Sequence, residues 1–117
     1  MEHPEREIDM SDCPFGSEGA KCVAAAVSFC DGLEEIKLRN CEIRDAGAKA
    51  LFEEFIGCPN LTTVDMGQNP ITENSFDSLA ALLEKAPQIQ KIDLGGISVK
   101  SKFAWMKLNK FGDRVAH

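Results

Sequence analysis

The side chains in this sequence that could support chemistry are five cysteines, two histidines and an excess of carboxylates. Nucleophilic catalysis needs a thiol or hydroxyl with a base beside it, and a zinc site needs clustered Cys or His ligands. His3 and His117 stand at opposite ends of the sequence, and no two cysteines have C-x-x-C spacing. The segment DLGGISVK has two glycines but does not match a phosphate-binding fingerprint. We therefore expect no enzyme activity, no cofactor and no metal.

Length and composition indicate one globular domain over residues 1–117. Hydrophobic residues make up 44% and charged residues 27% of the sequence, which are ordinary values for such a domain. No apolar run approaches the roughly 18 residues that a membrane span needs. The acidic start MEHPEREIDM lacks the apolar core of a secretory signal. An odd number of cysteines favours reduced thiols, so we predict a cytoplasmic protein.

Charge is distributed unevenly along the chain. The formal net charge of −6 argues against nucleic-acid binding, which needs a basic face. Residues 1–88 carry 7 Lys or Arg against 17 Asp or Glu, whereas residues 89–117 carry 6 against 2. The two parts therefore differ in sign. Head-to-tail contact between copies stays open as an alternative, although no specific residue in the sequence supports it.

An apolar pattern recurs every 28 residues. The stretch LEEIKLRNCEI, residues 33–43, has aliphatic residues at positions one, four, six and eleven. That spacing follows neither helical nor strand periodicity for long. Positions four, six and eleven stay apolar, without insertion, in residues 5–15, 61–71 and 89–99. A strand of about three residues, with positions four and six inward, explains the pattern. Those positions hold Ile8 and Met10, Ile36 and Leu38, Val64 and Met66, and Ile92 and Leu94.

The second half of each unit is predicted to be a helix, because apolar residues recur at spacings of three and four. Thr72 is a predicted N-cap with Glu73 near the positive end of the helix dipole. Pro59 and Pro87 follow the second and third helices, which a proline cannot continue. A single such unit cannot bury its apolar face, so neighbouring units must stack on a shared core. The inward stripes of the first three helices are Ala20, Val23, Ala24 and Val27; Ala48, Leu51, Phe52 and Phe55; and Phe76, Leu79, Ala80 and Leu83.

The pattern L-x-x-L-x-L-x-x-N/C-x-L followed by a helix resembles the leucine-rich repeat. The 28-residue period, with Gly19 and Gly47 early in their helices, resembles the ribonuclease-inhibitor-like subclass. This resemblance implies a right-handed α/β solenoid with short parallel strands on its concave face and helices on its convex face. The repeats would be residues 5–32, 33–60, 61–88 and 89–117, the last acting as a C-terminal cap.

The last repeat departs from the pattern. Position nine is Cys13, Cys41 and Asn69 in the first three copies but Ile97 in the fourth, so we expect an irregular fourth bend. We expect a cap helix with Ala104, Leu108, Phe111 and Val115 inward and with Trp105 and Met106 covering core that would otherwise be exposed.

The cysteines share repeat positions. Cys13 with Cys41, and Cys30 with Cys58, are two pairs that stacking would bring within disulfide range. The interpretation we favour is that these are small thiols buried in the bends.

The resemblance also identifies an exposed face, because side chains at positions three, five and seven point out from the concave sheet. We expect Lys37 to lie between Asp9 and Asp65, and Gly67, Gly95 and Gly96 to leave room for a partner. The alternative is a solvated face that only keeps the chain soluble. The predicted partner-binding residues are Glu35, Lys37, Arg39, Asp65, Gln68, Lys91, Asp93 and, on the cap, Trp105.

The function implied by the resemblance is interaction rather than chemistry. We expect a module that binds a protein partner through the concave face. One alternative is a structural subunit of a larger assembly that docks through its N-terminal edge and its basic C-terminal helix. Another is a regulator of a GTPase, because the family includes GTPase-activating proteins.

Overall fold

Five short strands form one parallel sheet in a computed structural model that describes residues 6–117. Glu5, where the first predicted repeat begins, and His3 lie outside the described residues. The strands follow one another across the sheet in chain order. This arrangement confirms the predicted α/β solenoid. The strands are β1 (Glu7–Asp9), β2 (Glu35–Lys37), β3 (Thr63–Asp65), β4 (Lys91–Asp93) and β5 (Val115–Ala116).

A helical crossover joins each strand to the next, as parallel pairing requires. Thr72 accepts a hydrogen bond from the Asn74 backbone N–H, which confirms its predicted N-cap role. The last crossover is a 3₁₀ helix rather than an α-helix, and we term it the cap helix. The crossovers are α1 (Gly16–Val27), α2 (Asp45–Phe55), a 3₁₀ turn (Glu73–Ser75) that continues into α3 (Phe76–Lys85), and the cap helix (Lys102–Arg114).

The strand register repeats the sequence period. Ile8 pairs with Ile36, Ile36 with Val64, and Val64 with Ile92, each partner 28 residues further on. One residue past each strand, a backbone N–H donates to the next strand: Met10 to Lys37, Leu38 to Asp65, and Met66 to Asp93. Because this offset is constant from β1 to β4, each position of the repeat forms a straight row across these four strands, whereas β5 pairs with β4 through Ile92 and Val115, outside the 28-residue period.

The core lies between the sheet and the helices. Ile36, Val64 and Ile92 are fully buried, whereas Ile8 on the outer strand is only partly buried. Fully burying one such side chain stabilises the fold by about 1.5–3 kcal/mol. All four residues of the predicted α2 stripe are buried, but Val23 of α1 and Ala80 of α3 are half-exposed. The middle of the solenoid therefore carries most of the packing.

Asn69 binds two consecutive bends together from a fully buried position. Its side-chain oxygen accepts from the backbone N–H of Cys41 at 2.9 Å and of Ile43 at 3.1 Å. Its side-chain nitrogen donates to the carbonyls of Leu38, Met66 and Gly67. The expectation that position nine satisfies backbone groups is thus met by Asn69. Cys41 does the same more weakly, through its thiol contact with the Met10 carbonyl at 3.1 Å.

The predicted cap was wrong in two respects. Val115 belongs to β5 rather than to a helix, because Gly112 adopts a φ of 57° and breaks the helical path. The Arg114 guanidinium then donates to the carbonyls of Leu83, Ala86 and Ile89, which holds the following strand against β4. Met106 is 62% exposed and does not cover the core.

Asp45 at the start of α2 joins two crossovers. Its carboxylate accepts hydrogen bonds from the Thr72 backbone N–H, the Thr72 hydroxyl and the Ser75 hydroxyl. Burial raises the pKa of Asp45, but the hydrogen bonds from Ser75 and Thr72 outweigh it, so the net pKa lies below the ordinary value. The charged carboxylate is therefore the form that the fold prefers.

No helix within residues 6–117 is both long enough and apolar enough to cross a membrane.

Replacing Asn69 tests its bridging role. Asn69→Ala leaves five buried backbone groups without their side-chain partner, and we expect a loss of about 2–4 kcal/mol in the free energy of unfolding. Urea denaturation followed by circular dichroism measures it, with exposed Asn74→Ala as the control. Equal stability of the two variants would contradict the role.

Acid sensitivity tests Asp45. A lowered folded-state pKa contributes stability above the ordinary carboxyl pKa, and this stability is lost as the pH falls through the folded value. We expect the wild type to lose more stability than Asp45→Asn between pH 6 and acid, while Asp45→Asn is the less stable of the two at pH 7. Urea midpoints across this pH range measure it, and exposed Asp77→Asn serves as the control. Parallel pH profiles for the wild type and Asp45→Asn would contradict the assignment.

Candidate functional site

The sheet face opposite the helices carries two parallel rows of polar side chains. They flank the buried central residue of each strand, and the strand register confirms both rows predicted from the sequence. One row is Glu7, Glu35, Thr63 and Lys91; the other is Asp9, Lys37, Asp65 and Asp93. Neighbouring members of a row are about 4.8 Å apart in backbone position.

A shallow depression lies in the middle of this face. Five of the eight predicted partner-binding residues meet there: Glu35, Lys37, Asp65, Lys91 and Asp93. Thr63 also lines it, although it was not among the predicted site residues. Its place in the row with Glu35 and Lys91 was the sequence signal that identifies it. We term the set Glu35, Lys37, Thr63, Asp65, Lys91 and Asp93 the sheet-face site.

Lys37 lies between Asp9 and Asp65 in its row, as predicted, but it forms its ion pairs with two glutamates of the other row instead. Its ammonium is 3.7 Å from the carboxylate of Glu7 and 3.7 Å from that of Glu35. With side-chain exposures of 35–57%, these pairs contribute under about 1 kcal/mol. The row places Lys37 beside the aspartates, but the aspartate side chains turn elsewhere.

The aspartates of the second row bond to their own backbone. The carboxylates of Asp9, Asp65 and Asp93 each accept from the N–H two residues later, at 3.1, 3.0 and 2.9 Å. This local turn is a common use of aspartate at the end of a strand. The backbone hydrogen bond from Ser11 is the main cause that holds the pKa of Asp9 below its ordinary value. The hydrogen bonds thereby fix the three carboxylates in place.

Arg39 and Gln68 lie at the end of the strands, beside the depression. The Arg39 guanidinium is 3.5 Å from the Asp65 carboxylate and lies over Gly67, where an added Cβ would be 2.4 Å from it. The Gln68 amide likewise covers Gly96. The prediction that these glycines leave room for a partner was therefore wrong, because side chains of the chain itself fill the space.

Position eight of each unit has a left-handed backbone. The φ angles are 66° at Asp12, 56° at Asn40, 57° at Gln68 and 77° at Gly96. Aspartate, asparagine and glycine tolerate this conformation best. The turn therefore recurs at these four positions, 28 residues apart, even though the residue type changes.

Trp105 is not part of this face. Its ring packs on Phe76 with centroids 4.9 Å apart and stacks on His117 at 3.8 Å. It lines a separate hollow with Leu108, Asn109 and Val115, which shares no residue with the sheet-face site. Trp105 thus lies apart from the other seven predicted partner-binding residues.

The thiols differ in environment. All five cysteines are free, Cys41 and Cys58 are buried, Cys30 is half-buried, and Cys13 and Cys22 are exposed. The prediction that these thiols are buried in the bends is therefore wrong for Cys13, which is exposed. Burial also raises the pKa of Cys41, and it raises the pKa of Cys58 to about 11, so both stay protonated at neutral pH. Among residues 6–117 there is no cluster of three His, Cys, Asp or Glu that fits a metal ion.

Comparison with known proteins identifies the family. A family model described as "Leucine Rich repeat" matches residues 6–24, 33–52 and 57–76, which together make up half of the chain. This chain belongs to the leucine-rich repeat family. It is 25% identical over 96 residues to tubulin-specific chaperone E of Pongo abelii. The match covers 82% of this chain but only 18% of that protein.

Two solved structures share the fold. One is titled leiomodin-1 actin-binding site 2, with a TM-score of 0.75 at 12% identity over 93% of this chain and 79% of the other. The other is a tropomodulin C-terminal domain from Caenorhabditis elegans. Its TM-score is 0.72 at 17% identity, over 93% and 83% of the two chains. At these identities the likeness concerns the fold alone.

The packing of Arg39 on Gly67 gives a testable expectation. A Cβ in Gly67→Ala would clash with the guanidinium and would lie 2.9 Å from the Gly95 carbonyl, so we expect a loss of about 1–3 kcal/mol. In an Arg39→Ala background the cost should fall, because only the backbone contact remains. A double-mutant cycle from urea denaturation measures the difference, and strict additivity of the two substitutions would contradict the packing.

Proposed function

We propose that this leucine-rich repeat chain is a non-catalytic module that binds a protein partner through the sheet-face site. The observation that supports it most is the convergence of five predicted residues, from three adjacent strands, in one depression. In this proposal the chain comprises four units of 28 residues in a solenoid of the ribonuclease-inhibitor-like kind, and the site residues come from the second, third and fourth units. Binding through the concave side is the use that this architecture favours.

The chemistry of the site suggests an extended segment of mixed charge as its ligand. Lys37 and Lys91 share three adjacent strands with Glu35, Asp65 and Asp93. The aspartates are held by backbone N–H groups and cannot retract, which lowers the entropic cost of binding. A face of this size fits a modest interface of about 800 Å² per partner.

Two relatives suggest the first partners to test. The names of these similar proteins refer to tubulin and to actin binding. We propose a cytoskeletal subunit as the first candidate class, and a reducing intracellular location consistent with five free thiols. No contact among the described residues supports the role of GTPase regulator.

Charge reversal at the site tests the proposal. Lys37→Glu with Asp65→Lys keeps the net charge but inverts the pattern of the depression, and we expect at least a tenfold weaker affinity for the partner. Lys49→Glu with Glu53→Lys, both exposed on α2, makes the same exchange away from the sheet and should leave affinity unchanged. Surface plasmon resonance against actin, tubulin and proteins captured from lysate measures it. Equal affinities of the two variants for every partner would reject the sheet-face site.

A further inference from the structure

The two ends of the described solenoid have the same layered construction. β1 and β5 are the outer strands of the sheet, and each lies in the same unit as one helix, α1 or the cap helix. Each end therefore presents a strand edge beside a helical face. Such edges invite pairing with another chain unless they are covered.

The side of α1 that faces away from α2 is apolar apart from Glu18, whose side chain is 90% exposed one turn before Cys22. α1 contacts α2 through Ala20, whose Cβ would lie 2.8 Å from a Cβ placed at Gly47. Side chains two positions apart on an α-helix point about 200° apart. Cys22 therefore lies on the opposite side of the helix from Ala20, and Ala26 lies on the opposite side from Ala24. Cys22 and Ala26 are both exposed, and Phe29 just after the helix is 87% exposed.

The C-terminal end has a matching apolar side. A 3₁₀ helix turns once every three residues, so the cap helix has three distinct sides. Trp105, Leu108 and Phe111 form the side packed on the core, and Lys107 and Lys110 form the side that pairs with Asp77 and Glu84 of α3. The third side remains exposed: Phe103 at 80%, Met106 at 62%, and Asn109.

The charges of the two ends are opposite. Residues 6–32 carry 2 Lys or Arg against 5 Asp or Glu, and residues 89–117 carry 6 against 2. Within the described part of the chain, neither Asp9 nor Asp12 at one end, nor Lys100 nor Lys102 at the other, forms an ion pair. Contact between two N-terminal ends would place like charges together, whereas contact between unlike ends is attractive.

We propose that copies of this chain stack head to tail, with the C-terminal end of one copy covering the N-terminal end of the next. β5 lies beside β1 of the second copy, and Phe103 and Met106 contact Cys22, Ala26 and Phe29. Because the contact joins two different surfaces, it is open-ended and allows short linear oligomers. The sheet-face site is not part of this contact, so the two proposals stand or fall separately.

Sedimentation velocity of the full chain at increasing concentration tests self-association. We expect the mass to rise from monomer to dimer and beyond, and the apparent Kd to rise at least tenfold between low salt and 0.5 M salt. Lys49→Glu on the outer side of α2 should behave as the wild type. A monomer at every concentration and salt level would overturn the proposal, and would leave these ends to another partner or to solvent.

Two blocked variants separate head-to-tail contact from a symmetric dimer. Ala26→Arg with Phe29→Ser blocks the N-terminal end, and Phe103→Glu with Met106→Glu blocks the C-terminal end. We expect each variant alone to be monomeric and an equimolar mixture to form a dimer through the two intact ends. Self-association of either variant alone, or a purely monomeric mixture, would overturn the head-to-tail contact. All four positions are exposed, and circular dichroism and thermal unfolding check that each variant folds.

Discussion

The parallel pairing of β1, β2, β3 and β4 at a fixed offset of 28 residues is the constraint on which the rest of this structure depends. In these strands each residue pairs with the residue 28 positions further along the chain, so the register of the ladder equals the period of the sequence repeat. Ile36, Val64 and Ile92 stack in one buried row because nothing is inserted between them. A one-residue slip of any strand would move its apolar residue from the core to the surface. The register therefore fixes both the core and the composition of the exposed face.

The same constraint repeats local geometry at the end of each strand. Three aspartates bond to the backbone N–H two residues later, and four residues at position eight adopt a left-handed conformation. Asn69 then secures the bend with hydrogen bonds to two units. The aspartates in these turns therefore hydrogen-bond to the backbone, although the sequence pattern alone places them on the exposed surface. What remains available on the sheet is a compact set of carboxylates and amines, fixed by the strands beneath them.

Much of the fold could be predicted from the sequence, because periodicity reports directly on which residues share a row. The rows that contain Lys37 and Asp65 follow from the 28-residue spacing, and so does Thr63. The partner of Lys37 did not follow, because spacing places backbones and leaves the direction of a short carboxylate undetermined. Two details of the cap were predicted incorrectly: Val115 lies in β5 because Gly112 redirects the chain, and Met106 is exposed. Trp105 was predicted to cover the core, and its packing on Phe76 agrees with that expectation; its place apart from the sheet face follows from its position on the cap.

The measurement that tests the central claim most directly is an NMR experiment on methyl-labelled protein. The account predicts nuclear Overhauser contacts from the methyls of Ile36 to those of Val64, and from Val64 to Ile92. It also predicts slow hydrogen exchange at the amides of Leu38 and Met66, which donate across the ladder. Absence of both contacts, with fast exchange at these amides in a folded chain, would contradict the register and every surface inferred from it.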